Sequence, residues 1–328
     1  MLAQVSHETV KVLPEMLSKL PGFEASSSTV INLENLESLR REDCPGYSLS
    51  GIEDPSSCTS TICAESWQPS NSHSSAYDFI EHSDASLGTR IRVINQDTLD
   101  AAIELSELPS RSCANADKAE EPNASRVVIL NLASEKRAGG GWRSGAGAQE
   151  EAICRRSSLY LSLHRKHYPL PSRTAVYSPN VLVMRDSIDA GHNLMTVSPA
   201  DMPVVATISV AAIRRPNVTR NGSGRIVDFA DEADRQLTKD KMRLILNVAA
   251  RNGHRRLVLG AMGCGAFRNP PEVVAQCWRE VLTEPEFSGG WWEEIVFAVL
   301  SRGFEPGKKK GDENNYQIFE RVLGGLLA

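Results

Sequence analysis

Residues 126–151 read RVVILNLASEKRAGGGWRSGAGAQEE. The apolar run at 126–133 is typical of a strand that is buried on both faces of a sheet. Three consecutive glycines at 139–141 follow in a loop, and because glycine has no Cβ, their backbone N–H groups can approach a ligand closely. The tripeptide Gln149-Glu150-Glu151 begins a pattern with helical spacing, and two adjacent carboxylates suit proton transfer or the binding of hydroxyl groups. The stretch therefore predicts a strand, a ligand-binding loop and a helix in direct succession.

Apolar segments with strand character recur on both sides of this unit and alternate with segments of helical spacing. Strands are predicted at 90–97, 126–133, 175–186, 202–212, 255–267 (where the strand runs into a glycine-rich turn) and 293–302. Helices are predicted at 98–108, 149–167 and 228–252, and another after Asn269. Because helices alternate with buried strands over 88–328, the sequence predicts an α/β fold with a sheet between two helical layers, a three-layer α/β/α sandwich.

Capping signals predict where two of these helices begin. Thr98 is a candidate N-cap of the helix at 98–108, since its hydroxyl can accept from the free N–H groups of the first turn. Asn269 is a candidate N-cap of a later helix, with Pro270 at the first helical position, where proline is well tolerated.

The first 88 residues differ from the rest of the chain. Residues 6–20 have helical spacing that is interrupted or bounded by Pro14. Residues 24–88 are rich in Ser, Asn, Asp and Pro and show little periodicity, which predicts a long loop or a disordered insert. We therefore expect an N-terminal helix with a long polar segment at 1–88 and one catalytic domain at 89–328.

The charge and hydropathy of the chain exclude several classes of protein. Its 36 Lys and Arg against 41 Asp and Glu give a net charge of −5, which argues against general nucleic-acid binding. No run of about 18 apolar residues is present, so no transmembrane span and no membrane partner are predicted. An anionic ligand held locally by backbone N–H groups is compatible with this composition.

The cysteines and histidines show no metal-binding pattern. The seven cysteines are odd in number, form no CxxC pair and are spread along the chain, which disfavours a disulfide framework and a zinc site. His164, His167, His192 and His254 have no ligand spacing, so neither a metal nor another cofactor is expected. Reduced thiols indicate a cytoplasmic or nuclear location.

The glycine loop and the acidic pair together resemble a known family signature. The spacer from Trp142 to Ala148 has seven residues, so the chain reads GGG-x(7)-QEE. This resembles the GGG-x(6–8)-QEE signature of the poly(ADP-ribose) glycohydrolases, in particular the bacterial-type branch that also occurs in fungi. The resemblance implies a macrodomain-like fold with a mixed central sheet. It also implies hydrolysis of the ribose–ribose O-glycosidic bonds of poly(ADP-ribose), with ADP-ribose as the product and no cofactor.

The resemblance implies roles for individual residues. Glu151 would be the catalytic acid and base, and Glu150 would hold ribose hydroxyl groups beside it. Substrate contacts would come from Asp97, Asn131, Gly139, Gly140, Gly141, Gln149, Gly263, Cys264, Gly265, Ala266 and Phe267. For Asp97, which resembles the adenine acceptor of macrodomains, a helix N-cap is an equally good interpretation.

Two chemical questions stay open at this point. A general acid needs a raised pKa, whereas a helix N-terminus lowers the pKa of a carboxyl group; the charge of Glu150 and a bound diphosphate would keep one proton on the pair. Binding of ADP-ribose without cleavage, or removal of mono-ADP-ribose from protein or nucleic acid, are the alternative functions.

Arg268 stands where relatives often have glycine, which adds positive charge near a phosphate.

Overall fold

The computed structural model describes residues 1–40, 88–108, 126–222, 224, 226–301 and 312–328. The helices are α1 (Leu2–Ser18), α2 (Thr98–Glu107), α3 (Gln149–Arg156), α4 (Glu232–Arg251), α5 (Pro271–Leu282) and α6 (Asn315–Leu323). The strands are β1 (Thr29–Asn32), β2 (Arg90–Ile94), β3 (Val128–Leu132), β4 (Thr174–Leu182), β5 (Val204–Val210), β6 (Val218–Arg220), β7 (Ile226–Phe229), β8 (Arg256–Leu259) and β9 (Glu294–Ala298).

Seven of these strands form one mixed sheet in the order β1-β4-β5-β3-β8-β9-β2. The five strands β5, β3, β8, β9 and β2 are parallel, while β4 and β1 run antiparallel at one side. β6 and β7 form a separate two-stranded hairpin. Because five neighbouring strands are parallel, their carboxyl ends meet at one edge of the sheet, and ligands of such sheets bind in crevices at that edge.

Side chains of successive strand residues pack on opposite faces of the sheet. In β3, Leu130 belongs to the core that also contains residues of α4, α5 and α6, whereas Ile129 belongs to the core with residues of α2 and α3. Both residues are 1% exposed. The period of two therefore produces a helical layer on each face, which confirms the predicted three-layer α/β/α sandwich with a mixed sheet.

The N-terminal helix α1 is attached to the unit that carries the glycine loop. Ser6 Oγ donates to the Trp142 carbonyl over 2.7 Å, and Thr9 Oγ1 donates to the Arg155 carbonyl over 2.7 Å. Both hydroxyl-bearing residues are buried, and Pro14 lies inside the helix and does not end it. Among the described residues, no helix is both long and apolar enough to cross a membrane.

Four local predictions are wrong. Thr29–Asn32 is a strand in the stretch predicted as a loop; it is short and largely exposed, so it has no buried side to produce a periodic pattern. Asp97 caps α2 in place of Thr98, because its carboxylate accepts from the N–H groups of the first turn. The N-cap of α5 is Pro270, since Asn269 uses its side chain to bond the preceding loop.

The fourth correction concerns the helix predicted at 149–167, which ends at Arg156. Ser157 is extended, with φ −145° and ψ 176°, and forms a bridge to Val183. Ser158 N–H donates to the Leu182 carbonyl over 2.9 Å, and its hydroxyl accepts from the Leu182 N–H. Pairing with β4 thus replaces the helical hydrogen bonds. The predicted boundary between 1–88 and 89–328 stays a prediction, and residues 41–87 lie outside the described residues.

Candidate active site

A cavity of about 500 Å³ lies at the carboxyl edge of the five parallel strands. Each of these strands contributes to its wall with its last residues or the loop that follows, including Asp97, Ala133, Ala212, Phe267 and Ser301. The predicted site residues that line the cavity are Asp97, Gln149, Gly263, Gly265, Ala266 and Phe267. Asn131, Cys264, Glu150 and Glu151 do not line the cavity, but each is next in sequence to a residue that does. The three glycines at 139–141 do not line it either.

The glycine loop holds the carboxylates of the acidic pair. Gly141 N–H donates to Glu151 Oε1 over 2.9 Å, and Ser134 N–H donates to Glu150 Oε2 over 2.8 Å. Gly140 N–H is used inside the loop, where it donates to the Arg137 carbonyl over 3.0 Å. Gly139 N–H also bonds to Glu150, where it lowers the pKa of that carboxyl group. The loop therefore binds the two carboxylates of the protein itself.

Gly140 is required by its position between the two carboxylates. Its φ is +57°, in the left-handed region that glycine adopts without strain. A Cβ at this position would collide with Glu151 Oε1 and lie 3.0 Å from Glu150 Oε2. Any side chain here would displace both acidic groups.

Burial raises the pKa of Glu150 to about 8, and the charge of Glu151 adds to this increase, against the Ser134 N–H bond that lowers the pKa. Glu150 is 3% exposed. Desolvation disfavours the ionised form of a carboxyl group, so near neutral pH the protonated form of Glu150 is favoured in the free protein. The sequence predicts opposing effects on the pKa of the acidic pair. Burial makes the effect that raises the pKa the larger one, and it acts on Glu150, the residue before Glu151.

Two buried oxygen atoms of the site lack donors. Among the described residues, Glu150 Oε1 and Asn131 Oδ1 have no hydrogen-bond partner, although Asn131 is fully buried and its Nδ2 donates to Ser209 Oγ over 3.0 Å. Buried acceptors without donors are rare and need an explanation. While Glu150 is protonated, its own proton can serve one of these two oxygens. Once Glu150 is ionised, hydroxyl groups of a bound ligand would supply donors of the right kind.

Gln149 uses its side-chain amide to join three elements. Its Oε1 accepts from the Leu132 N–H over 2.8 Å, and its Nε2 donates to the Leu130 carbonyl over 2.7 Å and to Thr98 Oγ1 over 3.1 Å. The amide therefore continues the hydrogen bonding at the end of β3 and fixes the start of α3. Because both atoms of the amide are bonded within the protein, Gln149 acts by holding the start of the helix on which the acidic pair lies.

The loop after β8 presents free backbone donors to the cavity. Within the described part of the chain, the N–H groups of Gly265, Ala266 and Phe267 have no acceptor, and all three residues line the cavity. Asn269 holds the loop by donating to the Ile213 carbonyl over 2.7 Å and to the Gly263 carbonyl over 3.2 Å. Successive free N–H groups form an anion-binding site. Cys264 is half-buried, and its Sγ contacts the Met262 carbonyl at 3.6 Å.

Asp97 caps α2 with one oxygen only. Oδ1 accepts from the Leu99 N–H over 2.8 Å and from the Arg156 guanidinium. Within the described residues Oδ2 makes no hydrogen bond, and the residue borders the cavity. The capping role and the ligand-acceptor role are therefore compatible, one on each oxygen.

Sequence reasoning missed a group of buried arginines beside the acidic pair. Arg155, Arg156 and Arg185 are each at most 2% exposed. Arg156 pairs with Asp97 and with Asp100, the latter at 2.5 Å. Arg155 lines the cavity one helical turn after the acidic pair and donates to the Ala146 carbonyl over 2.6 Å. The only sequence signal is two consecutive arginines on the helix that begins with the acidic pair.

His192 also lines the cavity and was not predicted as a site residue. Burial lowers the pKa of His192, and the neighbouring arginines lower it further, so the neutral imidazole is favoured. No cluster of three potential metal ligands occurs within the described ranges. The expectation that no cofactor is needed stays a prediction.

The chain is similar to one family model and to several proteins of known structure. The family model described as microbial-type PARG, catalytic domain, matches residues 59–186. A poly(ADP-ribose) glycohydrolase (PARG) from Deinococcus radiodurans, solved in complex with ADP-ribose, is 31% identical, with 73% of this chain and 85% of that chain aligned and a TM-score of 0.54. The chain belongs to the microbial-type poly(ADP-ribose) glycohydrolase family.

Other members of the family are similar over nearly the whole chain. The poly(ADP-ribose) glycohydrolase from Thermomonospora curvata is 27% identical over 98% of each chain, with a TM-score of 0.60. The same enzyme bound to the inhibitor ADP-HPD is 26% identical with the same TM-score. A sequence comparison with curated proteins gives no match. Membership of this family confirms the resemblance inferred from the glycine loop and the acidic pair.

Proposed function

We propose that this protein hydrolyses the ribose–ribose O-glycosidic bonds of poly(ADP-ribose) and releases ADP-ribose, as the family does. The observation that carries the proposal is the pair Glu150 and Glu151, held by N–H groups of the glycine loop next to an anion-binding loop. Solved relatives contain ADP-ribose or the inhibitor ADP-HPD. A binding module has no need of two carboxylates held in this way.

The cavity fits one ADP-ribose unit. Ligand sites commonly have volumes of roughly 300–1,000 Å³, and this cavity measures about 500 Å³. The diphosphate would accept from the free N–H groups of Gly265, Ala266 and Phe267. The adenine amino group would donate to Asp97 Oδ2. The distal ribose then lies between the Phe267 ring and the acidic pair.

The acidic pair supplies the proton for bond cleavage. In the free protein burial keeps that proton on Glu150. Ribose hydroxyl groups that donate to Glu150 stabilise its ionised form, so substrate binding moves the proton to Glu151. Glu151 then protonates the departing ribose oxygen, the C–O bond breaks, and the positive charge on the ribose ring is stabilised by the diphosphate of the same unit.

The second step uses the carboxylate left on Glu151. Gly141 N–H donates to Oε1, which stabilises the new negative charge. The other oxygen is free of protein donors within the described residues, and accepts a proton from water as the water attacks the anomeric carbon. This returns the proton to the enzyme and gives ADP-ribose.

The experiment is incubation of the purified protein with poly(ADP-ribose) of defined length and, separately, with a mono-ADP-ribosylated peptide. Chromatography with mass detection would identify the products. Release of ADP-ribose from the polymer, faster than from the peptide, is expected. Release from the peptide alone would favour the mono-ADP-ribose alternative, and binding without release would favour a recognition module.

We also propose that the protein works in a reducing compartment, the cytosol or the nucleus, where it would reverse ADP-ribosylation, including that made in response to DNA damage. Among the described cysteines, Cys154 and Cys277 are buried free thiols. Disulfides are rare in such compartments. Fluorescence microscopy of a tagged protein, with polymer staining after DNA damage in a deletion strain, would test both parts.

A further inference from the structure

Five basic residues lie in three loops that border the cavity near Phe267. They are Lys136, Arg137, Arg214, Arg215 and Arg268, here called the basic rim. They come from the loops that follow β3, β5 and β8, which are adjacent and parallel. All five are exposed. The parallel arrangement therefore brings three separate sequence segments with positive charge to one place.

Backbone and side-chain contacts join the three loops. The Arg214 guanidinium lies over the Phe267 ring at 6.0 Å and pairs with Glu135 at 3.4 Å. Arg215 N–H donates to the Phe267 carbonyl over 2.7 Å, and Arg268 N–H donates to the Gly265 carbonyl over 3.0 Å. These contacts thus hold the loops that carry the basic rim next to one another.

The charge of the basic rim is largely uncompensated. Glu135 is the one acid in these three loops, and within the described residues it pairs with Arg214 alone. Lys136, Arg137, Arg215 and Arg268 form no ion pair within the described part of the chain. The whole protein carries a net charge of −5. A local excess of positive charge on an acidic protein is the electrostatic footprint of an anionic ligand.

Two of the arginines occupy unfavourable backbone conformations. Arg215 has φ +51° and Arg268 has φ +57°. Residues with a Cβ rarely adopt the left-handed region, and glycine would adopt it without strain. Both positions nevertheless carry an arginine: Arg215 N–H bonds to the Phe267 carbonyl, and Arg268 follows Phe267 in the chain. Strained positions of this kind cluster at ligand sites.

The position of the basic rim indicates which anion it meets. None of the five residues lines the cavity, where the diphosphate of the bound unit meets backbone N–H groups. The rim nevertheless adjoins the acidic pair: Gly140 N–H donates to the Arg137 carbonyl over 3.0 Å, and Ser134 N–H donates to Glu150. Asp97, which would meet the adenine, follows β2 at one end of the five parallel strands, whereas the rim residues follow β5, β3 and β8 towards the other end. A phosphate that contacts the rim would therefore belong to a group attached beyond the distal ribose of the bound unit.

We propose that the basic rim is a subsite for the diphosphate of the leaving ADP-ribose unit, the one joined to the distal ribose in the cavity. This inference rests on the proposed hydrolase function and deepens it, because it makes a polymer, whose leaving group carries phosphates, the preferred substrate. Leaving groups without phosphate, such as a protein side chain, gain nothing from the rim.

The test compares two substrates in the full-length protein. One is linear poly(ADP-ribose); the other is an ADP-ribosyl aryl ether, whose phenol leaving group carries no phosphate. The variant Arg215→Gln/Arg268→Gln removes two charges from the rim, and Lys136→Gln/Arg137→Gln removes two from a separate loop. Lys11→Gln/Arg279→Gln is the matched control, because both residues are exposed and neither borders the cavity.

The ratio of kcat/KM for polymer to kcat/KM for the aryl ether should fall about tenfold in each rim variant at low salt. The slope of log(kcat/KM) for polymer against log[salt] should decrease by about 1.4, since each lost contact to a single-stranded polyanion removes about 0.7. The control should change neither quantity.

A ratio within twofold of wild type in both rim variants would overturn the subsite, as would equal losses on the two substrates. Melting temperatures would identify a misfolded variant. If one rim variant is misfolded, the ratio measured for the other rim variant tests the subsite. A wild-type protein that hydrolyses neither substrate would overturn the proposed function itself, and the subsite with it. Hydrolysis of both with an unchanged ratio refutes the subsite alone.

Discussion

Replacing Glu150 with Gln should make the protein more stable at alkaline pH. Burial raises the pKa of this carboxyl group from 4.5 to about 8. The folded protein therefore binds the proton more tightly than the unfolded chain does. Below about pH 4.5 the carboxyl group is protonated in both states, and Glu150 does not lower the free energy of unfolding. Between about pH 4.5 and 8 it ionises in the unfolded chain but not in the folded protein, so the free energy of unfolding falls as the pH rises. Above about pH 8 it is ionised in both states, and the loss of stability is complete.

The magnitude follows from the two pKa values. Each pKa unit is worth about 1.4 kcal/mol, so the displacement corresponds to about 5 kcal/mol at pH 9 and to about 3 kcal/mol at pH 7. Gln does not titrate, and its carbonyl can still accept from the Ser134 N–H. The difference in unfolding free energy, Glu150→Gln minus wild type, should therefore rise by several kcal/mol from pH 5 to pH 9.

Urea unfolding at half-unit pH intervals would measure this difference. Titrating groups that do not interact with Glu150 affect wild type and variant alike and cancel. Glu15→Gln is the control, because it removes an exposed carboxylate on α1, and its difference from wild type should stay within about 0.5 kcal/mol across the range. A Glu150→Gln difference that does not vary with pH would refute the assignment of the buried proton to Glu150.

Two further substitutions test the loop that holds the acidic pair. Gly140→Ala should reduce ADP-ribose release by at least about 100-fold, because the new Cβ would displace Glu151 and Glu150 and the contribution of acid catalysis would be lost. Near-normal release in a polymer assay would show that the carboxylates tolerate displacement. Ser6→Ala should cost about 0.5–1.5 kcal/mol in urea unfolding, because it removes the buried hydrogen bond from α1 to the Trp142 carbonyl, which keeps the Gly145 N–H as a donor. It should also lower kcat more than it raises KM, and an unchanged kcat would show that α1 does not position the loop.

The central sheet could be predicted from sequence because most of its strands are buried on both faces. β3, β5, β8 and β9 read as short apolar runs, and each was placed within a few residues of its position. β1 could not be predicted, since most of its residues are exposed and it pairs only at the edge of the sheet. The end of α3 depends on the pairing of Ser158 with Leu182, a contact between residues that are distant in sequence.

The features of the site also fall into two groups: those that local sequence predicts and those that depend on tertiary packing. The glycine loop, the acidic pair and the loop at 263–267 were found because their residue types and spacings are local. The partners of the glycine N–H groups, the proton on Glu150 and the buried arginines depend on how the elements pack. Asp97 shows the limit: the sequence sets capping against ligand binding, whereas in the structure only Oδ1 caps the helix, so the two roles are compatible.

The most direct test of the account is turnover by Glu151→Gln on poly(ADP-ribose), with ADP-ribose binding measured by calorimetry in the same preparation. Loss of the acid should reduce kcat by about 10²–10⁴, while the affinity for ADP-ribose stays within about tenfold of wild type. Near-normal turnover with intact binding would contradict the role of Glu151 as the acid and base of this site.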